Sequence, residues 1–160
     1  MNKDHKHSCQ RIQDLFQNSD VKIEVIEFKE LMRTSKEVAD LVGCEVGQIA
    51  KTLIFKSKNT KKPICVILSG KNRLDESKIV KHLGQEIEKP DANFIIEHTK
   101  FIIGGIPPVG YPLDNKPLID EDLMVYKEIW APAGTPYAVF RIAPQDLVKI
   151  TEALIVPIRQ

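Results

Sequence analysis

The 160-residue sequence predicts an α+β fold, with a curved, mixed, largely antiparallel and barrel-like sheet flanked by short helices. Three observations carry that expectation. Strand-like runs and helical periodicities are interleaved without a strict βαβα repeat. Capping residues and glycines mark where helices start and stop. No internal repeat or linker divides the chain, so a single domain over residues 9–160 is expected behind a mobile tail at residues 1–8.

Taking the elements in order, Cys9, Ile12, Leu15 and Phe16 recur at helical spacing, with Ser8 available as an N-cap. Alternation from Val21 to Phe28 reads as a strand. Thr34 precedes Glu37 by three residues, the spacing of a capping box, and the stripe Val38, Leu41 and Val42 stops at Gly43, so a helix is marked at both ends. Lys51 to Phe55 and Ile64 to Leu68 are β-rich, and the lysine-heavy Lys56 to Lys62 between them predicts a hairpin with a basic tip. Asp75 caps a helix that ends at Gly84, and Ala92, Ile95 and Ile96 mark another. Phe101 to Ile103 is expected to be a strand running into Gly104-Gly105-Ile106-Pro107-Pro108-Val109-Gly110. Two more strands, Glu128 to Ala131 and Tyr137 to Ile142, flank a turn at Pro132 to Pro136. Pro144 then suits the first position of a helix, and Leu154 to Ile158 returns to the sheet.

Composition narrows the function classes. Hydrophobic residues are 42% and charged residues 28%, enough for a substantial core without metals or disulfides, which excludes disorder for the bulk of the chain. Lys plus Arg is 23 against 22 for Asp plus Glu, so any RNA contact must be local, and DNA is not an expected partner. Cys9, Cys44 and Cys65 are odd in number and far apart, which fits a reducing cytoplasm better than a secreted disulfide framework. No apolar run approaches the roughly 20 residues needed to span a bilayer, so a soluble, cytoplasmic chain with no membrane partner is expected.

Two segments can carry chemistry. Lys51 shares a strand face with Leu53 and Phe55, which sets an ammonium on the apolar side of the sheet near its end. From the residues alone it either snorkels to solvent or binds an anionic or carbonyl oxygen. Gly104 to Gly110 combines glycines that let a ligand approach the backbone with prolines that stiffen the chain, and it reads either as a structural turn or as a wall of main-chain donors. Gly43, Gly47, Lys51 and Thr52 do not make a phosphate loop, because no glycine directly precedes the lysine and Lys51-Thr52 opens a strand. His5, His7 and Cys9 lie in a solvated tail, and no metal site is expected.

Together and in this order, these segments resemble the YbaK family of aminoacyl-tRNA deacylases, relatives of the editing domain inserted in bacterial prolyl-tRNA synthetases. Thr34-Ser35-Lys36-Glu37-Val38-Ala39 looks like the family's threonine-led helix start, and Ile49-Ala50-Lys51-Thr52-Leu53 like the segment with its hallmark lysine. Gly104 to Gly110 is similar to the family's active-site loop. Pro117-Leu118-Ile119-Asp120 and Ala133-Gly134-Thr135-Pro136 match two further segments. Pro107 stands where several members have a small polar residue, and Tyr111 where many have histidine.

The resemblance implies a metal-independent trans-editing hydrolase that needs no cofactor. Its partners would be the acceptor end of mischarged tRNA, tRNA(Pro) included, and an aminoacyl-tRNA synthetase. It would cleave a small amino acid of the alanine, serine or cysteine type from the terminal ribose. Lys51, Gly104 and Gly105 are the expected catalytic residues. Thr34, Thr52, Ile106, Pro107, Asp120 and Gly134 are the expected substrate-binding residues, Asp120 by receiving the α-ammonium. A non-catalytic module that binds an aminoacyl group, a nucleotide or a tRNA end is the alternative.

Overall fold

A computed structural model describes residues 3–160. The elements are α1 (Lys3–Gln17), β1 (Glu24–Glu27), α2 (Ser35–Val42), β2 (Ala50–Ser57), β3 (Pro63–Ser69), α3 (Glu76–Leu83), β4 (Ile87–Glu88), α4 (Ala92–Thr99), β5 (Leu118–Asp120), β6 (Ile129–Pro132), β7 (Ala138–Ile142), α5 (Pro144–Thr151) and β8 (Leu154–Val156). Two sheets form, one in the order β1-β7-β6 and one in the order β4-β2-β3-β5-β8. The pairings are antiparallel except β3 with β5 and β5 with β8. The mixed, largely antiparallel α+β class is therefore as expected, but among the described residues the sheets do not close into a barrel. They meet through a single parallel bridge between Ile49 and Trp130.

The strand β3 is buried along its whole length because both its faces are covered. Cys65 and Ile67 face the cluster built with Ile12 and Phe16 of α1 and Phe140 of β7. Ile64, Val66 and Leu68 face the cluster with Ile79 of α3 and Ile158. A third cluster lies under α2 and holds Val38, Ile49, Trp130 and Val139.

The caps read from sequence act as expected. The Thr34 hydroxyl accepts from the Glu37 N–H at 3.1 Å, and the Glu37 carboxylate accepts from the Arg33 N–H at 3.0 Å, so the box closes one residue earlier than its standard form. Gly43, at φ 75°, ends the helix. Asp75 and Gly84 bracket α3, and Pro144 opens α5.

Three expectations are corrected. Helix α1 reaches back to Lys3, so Ser8 lies inside it. The apolar stripe of Cys9, Ile12 and Phe16 docks the helix, Asp4 lies in its first turn, and the His5 ring rests 5.0 Å from that of Tyr137. The tail expected at residues 1–8 is thus helical from residue 3, while residues 1 and 2 lie outside the described residues. Phe101 to Ile103 is no strand: the Thr99 hydroxyl accepts from the Phe101 N–H at 3.1 Å, and the Gly105 N–H donates to the Ile102 carbonyl at 3.1 Å, so the segment satisfies itself as turns. The strand expected over Val21 to Phe28 is confined to Glu24–Glu27, the stretch that pairs with β7.

Among the described residues no helix is long and apolar enough to cross a membrane. Burial raises the Cys9 thiol pKa to about 11 and the Cys65 thiol pKa to about 12.

Gly134, at φ 90°, lies under α1, where an added Cβ would come within 2.7 Å of the Ser8 carbonyl oxygen and 2.9 Å of the Phe101 ring. Gly134→Ala should therefore lower stability by about 3 kcal/mol, read as a fall in the denaturant midpoint with an unchanged slope.

Candidate active site

A cavity of about 260 Å³ opens where the start of α2, the first half of β2 and the loop after α4 converge. Each wall has a local cause. Thr34 is there because it caps α2. Lys51 and Thr52 are the second and third residues of β2, and Lys51 stands opposite Leu68 of β3, on the face of Leu53 and Phe55 as expected. Gly104, at φ 96°, is the third residue of the Ile102–Gly105 turn, the position that calls for glycine in a type II turn.

Five of the nine expected site residues line this one cavity: Thr34, Lys51, Thr52, Gly104 and Ile106. Its lining holds two cations, Arg33 and Lys51, and no carboxylate. Neither cation enters an ion pair among the described residues, whereas Lys36 beside them pairs with Asp40 at 3.0 Å. The Thr52 hydroxyl oxygen is buried with no hydrogen-bond partner among the described residues. A buried polar atom left in that state costs roughly 1–3 kcal/mol, and by strand alternation this hydroxyl lies on the face of Ala50 and Ile54, opposite that of Lys51.

Next to this cavity lies a chamber of about 50 Å³ that shares Met32, Val38, Ile49, Gly104 and Pro132 with it. Phe28, Trp130, Thr135, Pro136, Ala138 and Val139 complete the chamber, whose lining carries no charged residue. Liquid water occupies about 30 Å³ per molecule, so a group of one or two heavy atoms fits and a large side chain does not.

Four expected residues are placed elsewhere. Gly105 is not part of the cavity lining: its N–H is committed to the turn, and a Cβ at this position would stand 2.5 Å from Thr135 Cα, so glycine is needed for a backbone-to-backbone contact. Pro107 is buried in the same loop, its carbonyl accepting from the Tyr111 hydroxyl at 2.7 Å. That phenol, which also contacts the Cys65 thiol at 3.5 Å, has a pKa raised well above the usual range by burial. Gly134 is covered by α1, while its neighbours Thr135 and Pro136 reach the small chamber. Asp120 is fully buried away from the cavity and accepts from Ser69 N–H, Asn72 Nδ2 and Asp122 N–H at 2.8–3.0 Å. These donors tie β3 to the segment at β5, and the carboxylate lies outside the lining in which an acceptor of the α-ammonium is expected.

Sequence reasoning missed Arg33, Met32 and Ile103 on the rim. Only their adjacency to Thr34 and Gly104 could have pointed to them. A groove of about 590 Å³ along Pro108–Pro117 and Ile150–Glu152 is lined by none of the expected residues. In the basic hairpin, Lys61 lies 3.8 Å from Glu88, Lys62 lies 4.0 Å from Asp114, and Lys56 sits over the Phe94 ring. At about 3.3 Å per residue the tip at Lys58 stands roughly 23 Å along the strand from Lys51. Among the described residues no three His, Cys, Asp or Glu side chains form a group that could hold a metal ion.

The cavity is acid-free and mostly apolar, with a lysine and a glycine turn in its lining, a setting that suits a neutral or anionic oxygen-rich group. The aminoacyl-tRNA editing domain model matches residues 29–150, so the chain belongs to the family of aminoacyl-tRNA editing domains. A crystal structure described as a candidate trans-editing enzyme for prolyl-tRNA synthetase superposes with a TM-score of 0.89 at 37% identity, covering 96% of this chain and 97% of that one. The protein EbsC of Enterococcus faecalis, named as a candidate Cys-tRNA(Pro)/Cys-tRNA(Cys) deacylase, is 27% identical over 74% of this chain and 72% of its own. A proline–tRNA ligase of Thermoanaerobacter is 26% identical over 95 residues, which are 58% of this chain and 16% of the ligase.

Asp120→Ala should cost about 2 kcal/mol of stability, since it strands the buried Ser69 N–H and leaves the Asn72 amide only its bond to Asp122. Urea unfolding checks this.

Proposed function

We propose that this chain hydrolyses, in trans, the ester between a mischarged small amino acid of the alanine, serine or cysteine type and the 3′-terminal ribose of tRNA, tRNA(Pro) included. One observation carries the reading: Lys51 and the Gly104 turn converge on a carboxylate-free cavity that adjoins a chamber of about 50 Å³. The small chamber takes the side chain, and its size favours alanine-, serine- or cysteine-like groups over larger ones. Discrimination of this kind is what a second sieve supplies, because one methylene is worth only about 1–3 kcal/mol in a synthetase pocket.

In the proposed mechanism a water adds to the ester carbonyl carbon and the carbonyl electron pair moves onto oxygen. The Lys51 ammonium and the Gly104 N–H, which the turn leaves unused, receive that charge. Collapse breaks the bond to the ribose oxygen, which leaves with a proton delivered through solvent. Thr34, whose oxygen already accepts from Glu37 N–H, keeps its own O–H free to donate to a polar group of the aminoacyl ester. Positioning rather than a nucleophilic side chain carries the rate.

Lys51→Ala should slow single-turnover hydrolysis of a mischarged tRNA roughly ten- to a hundredfold while the fold, read by circular dichroism, is retained. The wild-type rate should be unchanged by a chelator. A wild-type protein that binds the mischarged tRNA panel and leaves every ester intact would favour a non-catalytic binding module.

A further inference from the structure

We infer that Arg33 is the residue that grips the last internucleotide phosphate of the tRNA, the one joining the terminal nucleoside to its neighbour, and so leaves Lys51 to the ester. The inference rests on the deacylase reading for the identity of the ligand, but its physical basis is the distribution of charge around the cavity.

The cavity has two cationic side chains and no acidic one. They differ in setting. Lys51 is half-buried on β2, beside Thr52 and Leu53, where a compact ammonium reaches a single oxygen. Arg33 is exposed at the rim, one residue before the α2 cap, and its guanidinium enters no ion pair among the described residues. Glu37, four residues on, is already bound through its carboxylate to the Arg33 backbone N–H. That bond fixes the main chain at Arg33 while leaving the side chain without a partner.

A planar fork with five donors matches two phosphate oxygens, whereas an ester offers one carbonyl oxygen, so the two cations suit two different parts of the same ligand. The terminal nucleoside bears its aminoacyl ester on one side of the ribose and its phosphate on the other. An aminoacyl group held at Lys51 therefore directs the phosphate outward, toward the rim. The lysines of the hairpin tip are roughly 23 Å along the strand from Lys51, too far to serve this phosphate.

The test is a two-by-two comparison with a short RNA hairpin carrying an unpaired CCA end, made with either a native or an uncharged methylphosphonate linkage at the final position. Dissociation constants are measured for the wild type and for Arg33→Ala. The wild type should bind the uncharged linkage roughly ten- to a hundredfold more weakly, Arg33→Ala should show about that loss with the native hairpin, and the variant should lose little more when the linkage is also neutral. The slope of log Kd against log salt should fall by about 0.7 in the variant, as for one phosphate contact on a single strand. Equal and additive losses from the two changes would overturn the assignment. With mischarged tRNA, Arg33→Ala should raise KM and leave kcat nearly unchanged. Because the hairpin is uncharged, a wild type without deacylase activity would sink the proposed reaction and still leave the Arg33 coupling to be read from Kd.

Discussion

Two main chains touch at Gly105 and Thr135, and the location of the cavity follows from that contact. A Cβ on Gly105 would stand 2.5 Å from Thr135 Cα, so only glycine lets the loop after α4 lie flat against the β6–β7 turn. With Gly105 seated, Gly104 is carried to the cavity edge at φ 96°, and Ile106 follows it into the lining. The same turn sends Thr135 and Pro136 to the floor of the small chamber. One tight approach thus orients both the proposed charge-binding and size-selecting parts of the site, and the glycine serves packing there rather than ligand contact.

Much of the local structure was legible in the sequence, since its causes are local. Thr34 with Glu37 and Gly43 specify α2 from within ten residues, and Asp75 with Gly84 do so for α3. The alternation in β2 was sufficient to put Lys51 on the face of Leu53 and Phe55. What escaped depends on partners far along the chain. Phe101 to Ile103 has strand composition, but its polar groups are taken by Thr99 and Gly105, so it offers no edge to a neighbour. The start of α1 was misplaced because the surface that holds it, Tyr137 and the Gly134 turn, lies more than a hundred residues away.

The candidate site divides along the same line. Lys51, Thr52 and Thr34 sit near the ends of elements whose boundaries are encoded nearby, and the Gly105–Thr135 contact brings Gly104 and Ile106 to them. Asp120 lies apart from these five because its surroundings are set by β3 and Asn72, and three donors already bind a carboxylate that looks available in sequence. Arg33 went unnoticed for the opposite reason: nothing in its own neighbourhood distinguishes it, and its interest lies in the absence of acid from a cavity assembled by distant segments.

A protein that handles activated esters runs the hazard of being acylated itself, since thiolates attack esters readily. Burial disarms that chemistry at two cysteines. Cys9 is packed against the core by α1 and Cys65 lies inside β3, and their raised pKa values keep both sulfurs as thiols near neutrality. Neither belongs to the cavity lining. Under the proposed reaction the ester is thereby left to water, and these two sulfurs are kept from accepting the acyl group.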